Sequence, residues 1–212
     1  MECRPIDLQT YPRRKHFEYF RALAFPYVGM TVQVDVTELE AFCKSRGCSF
    51  YLTFLHAVAL AANRVPEFRL RIRGEGIVAY DTCGTSHIEL LPDNTYCYCT
   101  LYHHLGLEEY LAYAQRTRRA CREQASIEDD DETEGLYFIS TVPWLHYTSL
   151  TQPVACGSDS NPRFTWGKFE ADWRGRLMMP LTVQVHHALM DGVHIGAFYR
   201  CLEEELVGIV RM

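Results

Sequence analysis

The residues of greatest chemical promise stand near the C-terminus, in Leu181-Thr182-Val183-Gln184-Val185-His186-His187-Ala188-Leu189-Met190-Asp191-Gly192. Histidine is the side chain whose ordinary pKa lets it take up and return a proton near neutral pH, and a carboxylate four residues on can fix its surroundings. Those types at that spacing suit general acid–base chemistry, such as drawing a proton from a hydroxyl nucleophile. Adjacent histidines on an extended segment point to opposite sides, so only one of His186 and His187 faces a given cleft. A satisfied histidine pair at a strand end, with Asp191 capping the next helix, is the other reading of the same residues.

The elements around this string follow from periodicity. Val183 and Val185 alternate with Thr182 and Gln184, which predicts a strand, and Val193, Ile195, Phe198, Leu202 and Leu206 fall at helical spacing beyond Gly192. A strand, a tight corner and a helix therefore present the candidate chemistry. Residues 30–36 alternate Met30, Val32, Val34 and Val36 with polar neighbours and predict a half-buried strand. Thr37-Glu38-Leu39-Glu40 reads as a capping box opening a helix to about Ser45, ended by Gly47. Ser49 caps a second helix over 50–63 that is apolar nearly all round and therefore buried, with His56 as a hydrogen-bonded core residue.

Pro66 stops that helix, and Gly74-Glu75-Gly76 marks a hairpin into residues 77–80. Residues 86–91 and 96–102 predict strands, and 107–124 a helix with Leu107, Tyr110, Leu111 and Ala114 on one side. Six of the seven residues 128–134 are acidic, which predicts a solvated loop. Residues 136–144 form a strand stopped at Pro143, and 164–169 another.

Composition bounds the function. A chain of 212 residues, 48% hydrophobic and 23% charged, suits one large domain with a substantial core. The net charge of −6 argues against nucleic acid as a partner. The N-terminus lacks the apolar core of a signal peptide, and no apolar run reaches the ~20 residues of a membrane span, so the expected location is cytoplasmic, without membrane attachment. Nine cysteines, an odd number, are then reduced thiols. Cys97-Tyr98-Cys99 followed by His103-His104 raises a metal site, but no second ligand pair accompanies it, and the expectation is that no metal is bound.

Several separated segments carry a resemblance: Arg13-Arg14-Lys15-His16-Phe17, Pro66-Glu67-Phe68-Arg69, Ser140-x-x-Pro143-Trp144, Thr165-x-x-Lys168 and His186-His187-x-x-x-Asp191-Gly192. In this order and spacing, over essentially the whole chain, they resemble the chloramphenicol acetyltransferase family of coenzyme-A-dependent acyltransferases. The related condensation domains carry two such halves in a longer chain, and the dihydrolipoyl acyltransferases normally carry Asp-His-Arg in place of His-His.

The resemblance implies one acetyltransferase domain over residues 1–212. Its fold class is α/β, a two-layer sandwich with a large mixed β-sheet and helices packed on one face. It implies acetyl-CoA as co-substrate and a small-molecule hydroxyl acceptor. His187 is then the base, Ser140 the donor to the oxyanion, Thr165 the holder of a water, and Arg13 the partner of Asp191. Lys168, Phe169 and Trp144 lie near the coenzyme, while Tyr19, Phe20, Tyr96, Tyr98 and Val154 line the acceptor pocket. The family forms a homotrimer with active sites between subunits.

Departures from the family pattern bear on the acceptor. Phe20 stands where the family has a tyrosine hydroxyl, and Gln152 and Arg163 fall at apolar pocket positions. Phe169 replaces a frequent tyrosine, and Ser49 a lysine near the coenzyme. A charge in an apolar pocket costs several kcal/mol unless paired, roughly, so Arg163 either points away or belongs to a different pocket. Alternatives are an acetyltransferase for another small hydroxyl or amine acceptor, or a catalytically silent trimeric binding protein.

Overall fold

The structure, a computed structural model, describes residues 1–127 and 133–212. The described residues form five helices, α1 (Arg14–Arg21), α2 (Thr37–Arg46), α3 (Phe50–Arg64), α4 (Leu107–Gln124) and α5 (Gly192–Val210). Ten strands accompany them: β1 (Cys3–Ile6), β2 (Tyr27–Asp35), β3 (Leu70–Arg73), β4 (Gly76–Tyr80), β5 (Gly84–Leu90), β6 (Tyr96–Leu101), β7 (Leu136–Val142), β8 (Arg163–Gly167), β9 (Glu170–Ala171) and β10 (Leu177–His186).

Seven strands make one mixed sheet in the order β2-β10-β8-β7-β5-β6, with β9 paired to β10. The β5–β7 and β7–β8 pairs are parallel, and the remaining pairs are antiparallel. Burial of both faces fits the interior place of β10 between β2 and β8: Leu181, Val183 and Val185 are buried on the helix side, while Thr182, Gln184 and His186 are buried on the opposite side under the chain that leads from β7 to β8. Pro180, which has no N–H to donate, sits between the residues of β10 that pair with β9 and those that pair with β8.

The helix layer packs on one face. Phe164 of β8 lies 5.0 Å from Phe198 of α5 and 5.8 Å from Phe68, and Trp166 lies 5.1 Å from Phe54 of α3. Each such buried ring contributes roughly 1.5–3 kcal/mol by leaving water. Ser49 caps α3 by accepting the Leu52 N–H at 3.3 Å, and Gly47 ends α2 in the left-handed region with φ of 63°.

A second, three-stranded antiparallel sheet, β1-β4-β3, was not foreseen beyond its hairpin. The fully buried Arg71 ties it to the main body, donating to the carbonyls of Phe68, Leu70, Glu134 and Leu136 and to Cys83 Sγ. Three further expectations are corrected. Thr37 does not form a capping box: its hydroxyl donates to Asp35 and accepts the Leu177 N–H, and Val36 is the N-cap without a side-chain bond. Met30 and Val32 remain exposed at the sheet edge, although Val36 is buried. In the acidic run, residues 128–132 lie outside the described residues, but Glu134 is not a solvated loop residue, since it pairs with Arg73 and accepts from the Tyr80 hydroxyl.

Candidate active site

The corner after β10 presents the two histidines differently. His186 has both ring nitrogens occupied: Nε2 donates to the Gly157 carbonyl at 2.9 Å, and Nδ1 accepts the Ala188 N–H at 3.2 Å. Burial, partly offset by the Gly157 bond, lowers its pKa, so the ring is held neutral. His187 follows the strand, its backbone N–H bonded to the Pro26 carbonyl at 2.7 Å. Its Nδ1 lies 2.9 Å from the Met190 carbonyl, which can only accept, so Nδ1 carries the hydrogen. Nε2 is then the basic nitrogen, and it has no partner among the described residues. The ring stacks on Phe20 of α1 with centroids 3.9 Å apart, which fixes its plane.

Asp191 supports this corner from below. It is the N-cap of α5, accepting the Val193 N–H at 3.1 Å, and its own N–H donates to His194 Nδ1 at 3.0 Å. Arg13 Nη1 donates to Asp191 Oδ2 at 2.6 Å, joining the start of the chain to its end. Burial acts to raise the Asp191 carboxyl, but the Arg13 bond, the Val193 N–H and the charges nearby outweigh it and hold the group below the usual carboxylate range. Asp191 is thus both the helix cap and the partner of Arg13.

A second constellation lies on the face of the sheet away from the helices. Ser140 of β7 pairs in register with Thr165 of β8, and Thr165 with Thr182 of β10, so the three hydroxyl residues stand side by side. Thr182 bonds Thr31 Oγ1 at 2.7 Å. Ser140 is half-buried, with no hydrogen-bond partner among the described residues. It lines a cavity of about 470 Å³ together with Tyr96, Tyr98, Phe138, Gln152 and Arg163. Arg163 is buried, but paired: it donates to Asp159 at 2.5 Å and to the Asn161 carbonyl at 2.9 Å, and stacks over Phe138. Val154 is not among the lining residues, although Gln152 and Pro153 are.

Trp144, Lys168 and Phe169 gather beyond the ends of β7 and β8. The Lys168 N–H bonds the Leu145 carbonyl at 2.8 Å, Phe169 packs edge-on against Phe50, and Trp144 is exposed. Gly167 permits this approach, since a Cβ there would collide with the Leu145 carbonyl and come within 2.9 Å of the Tyr147 ring. The Lys168 ammonium faces Glu170 at 3.4 Å and is half-exposed. Tyr19 is exposed on α1 beside Phe20. The sequence residues therefore fall into three groups: His187, Arg13, Asp191, Tyr19 and Phe20 at the corner, Ser140, Thr165, Tyr96 and Tyr98 on the outer sheet face, and Trp144, Lys168 and Phe169 beyond the ends of β7 and β8. None of the corner residues lines the Ser140 cavity.

Three contacts were missed in the sequence: the Met190 carbonyl on His187, His194 beneath Asp191, and the Gln152 carboxamide, which donates to Thr165 Oγ1. A turn after a strand and an Asp-x-x-His at a helix start signal the first two, whereas Gln152 lies in a segment without periodicity. Cys97, Cys99 and His103 are buried. His103 bonds Thr85 at 2.9 Å and faces His56 at 3.3 Å, and among the described residues no three His, Cys, Asp or Glu side chains converge as a metal-ligand set.

Comparison with known proteins gives one consistent result. The family model described as chloramphenicol acetyltransferase matches residues 1–203. A chloramphenicol acetyltransferase of Proteus mirabilis is 29% identical over 194 residues, covering 90% of this chain and 88% of that protein. One of a Klebsiella species is 28% identical over 202 residues, covering 94% and 91%. A solved chloramphenicol acetyltransferase superposes with a TM-score of 0.83 at 28% identity, over 97% of this chain and all of that one. The Azotobacter vinelandii dihydrolipoamide acetyltransferase shares the fold alone, at TM-score 0.69 and 18% identity over 93% and 88% of the two chains. The strand-to-helix corner, the hydroxyl row on the outer sheet face and these similarities agree: the chain belongs to the chloramphenicol acetyltransferase family and is an acyltransferase.

Proposed function

We propose that the protein transfers an acetyl group from acetyl-CoA to a hydroxyl of chloramphenicol or a similar small molecule, with His187 as general base. The observation that carries this reading is the His187–Met190 bond, which leaves Nε2 as a basic nitrogen without a partner among the described residues. His187 takes the proton of the acceptor hydroxyl as its oxygen bonds to the thioester carbonyl carbon, and the carbonyl electron pair moves onto oxygen. Ser140 donates to that oxygen, a contact worth roughly 3 kcal/mol when one such donor is removed. When the carbonyl re-forms, the C–S bond breaks and His187 returns the proton to the departing thiolate.

We propose further that the working unit is a homotrimer in which His187 of one subunit meets Ser140 of the next. The absence of His187 from the lining of the Ser140 cavity supports this, as do the exposed Tyr19 and Phe25 near the corner. Nine free cysteines favour a reducing compartment such as the cytoplasm. A second reading, an acetyltransferase for a more polar acceptor, is favoured by one feature: Gln152 and Arg163, the latter paired with Asp159, line the cavity.

The test is thiol release from acetyl-CoA across a panel of hydroxylated acceptors including chloramphenicol. His187→Ala is expected to lose about 10²–10⁴-fold in kcat, the range for a general base, whereas His186→Ala mainly costs stability. Wild-type turnover in His187→Ala, or loss confined to His186→Ala, refutes the assignment.

A further inference from the structure

Thr165 does not offer its hydroxyl to solvent. The residue is buried, and the carboxamide Nε2 of Gln152 donates to its Oγ1. That carboxamide is anchored by its own backbone: the Gln152 N–H donates to Gln184 Oε1 at 2.9 Å, and Gln184 Nε2 donates back to the Gln152 carbonyl at 3.1 Å. Gln184 is itself buried on β10. Three hydrogen bonds thus hold residue 152 over β8 and β10.

A carboxamide nitrogen carries two hydrogens, and Thr165 accepts one. The second has no partner among the described residues, and Gln152 and Ser140 line one cavity. Ser140 and Thr165 are register partners on neighbouring strands, which lie about 4.8 Å apart. Ser140 and the amide held on Thr165 are therefore neighbours across one strand spacing on the wall of one cavity.

We propose that Gln152 is a second catalytic donor to the oxygen that becomes negative during acetyl transfer, acting beside Ser140. The inference rests on the acetyl-transfer reading above. A fixed amide dipole costs no reorganisation when charge develops, which is what gives such donors their effect. Because the two anchoring bonds to Gln184 use the backbone of residue 152, they survive truncation of its side chain.

The experiment measures kcat and KM by thiol release from acetyl-CoA, both with an accepted hydroxyl compound and with water as the acceptor, since both routes pass through the same oxyanion. Gln152→Ala is expected to lower kcat about 10- to 100-fold, with the KM for acetyl-CoA and the melting temperature unchanged. Gln152→Glu keeps the size but places an anion beside the oxyanion, and falls at least as far. Wild-type kcat in either variant, or a loss confined to the acceptor KM, overturns the inference while leaving the acetyl-transfer reading in place. A wild-type enzyme that releases no thiol with any acceptor or with water removes that reading, and the inference with it.

Discussion

Replacing Arg13 by alanine tests whether the ends of the chain are locked together at the active-site corner. The Arg13–Asp191 contact is a single charge-assisted bond of 2.6 Å between side chains that are 20% and 31% exposed. An exposed ion pair contributes at most about 1 kcal/mol, and breaking a buried one costs about 3–5 kcal/mol, so this half-buried pair falls near 2 kcal/mol. Asp191 keeps its Val193 N–H and its place at the positive end of α5, which limits the loss. For a chain of this size about 2 kcal/mol lowers the melting temperature by roughly 4–8 °C. The sign with pH is fixed by the depressed Asp191 carboxyl: its contribution is full above the ordinary carboxylate value and is lost as pH falls through the lower folded value. Thermal melts of wild type and Arg13→Ala at one protein concentration should therefore differ most near pH 7 and converge in acid. A gap below about 1 °C at pH 7, or one that stays constant into acid, refutes the reasoning.

Two other outcomes follow from buried groups. Burial lowers His56 to about 4 and holds His103 well below its ordinary value, so both stay neutral in the folded chain near neutral pH. The unfolded chain binds their protons below about pH 6.5, so stability should fall from there downward, and a urea-midpoint series should show a shallower slope in His56→Phe. Gly167→Ala should depress both melting temperature and thiol release, because its Cβ meets the Leu145 carbonyl and the Tyr147 ring; an unchanged melt would mean the loop yields freely.

Much of the fold was legible because local signals agreed with the packing. Alternation along 181–186 and the helical spacing beyond Gly192 mark β10 and α5, and the 107–124 helix is realised as α4 with the same bounds. What was hidden depends on tertiary partners. The hydroxyl of Thr37, which its spacing from Glu40 marked as a cap, is drawn instead to Asp35 and the Leu177 N–H from a distant strand. Alternation at Met30 and Val32 identifies an apolar face without saying whether this chain covers it. The charge of Arg163 is balanced from an irregular segment by Asp159, four residues earlier, where no period guides the eye. Gln152 reaches Thr165 from the same stretch, so the site's chemistry could be read from strand ends but not its full set of donors.

In the proposed homotrimer, His187 and Ser140 of different copies form one site. Mixing separately purified His187→Ala and Ser140→Ala proteins under subunit exchange tests it most directly. Each variant alone should be strongly impaired, and an equal mixture should regain about one quarter of wild-type thiol release, since half the His187 donors then meet an intact Ser140 half the time. A mixture no more active than the average of its two components would contradict the claim.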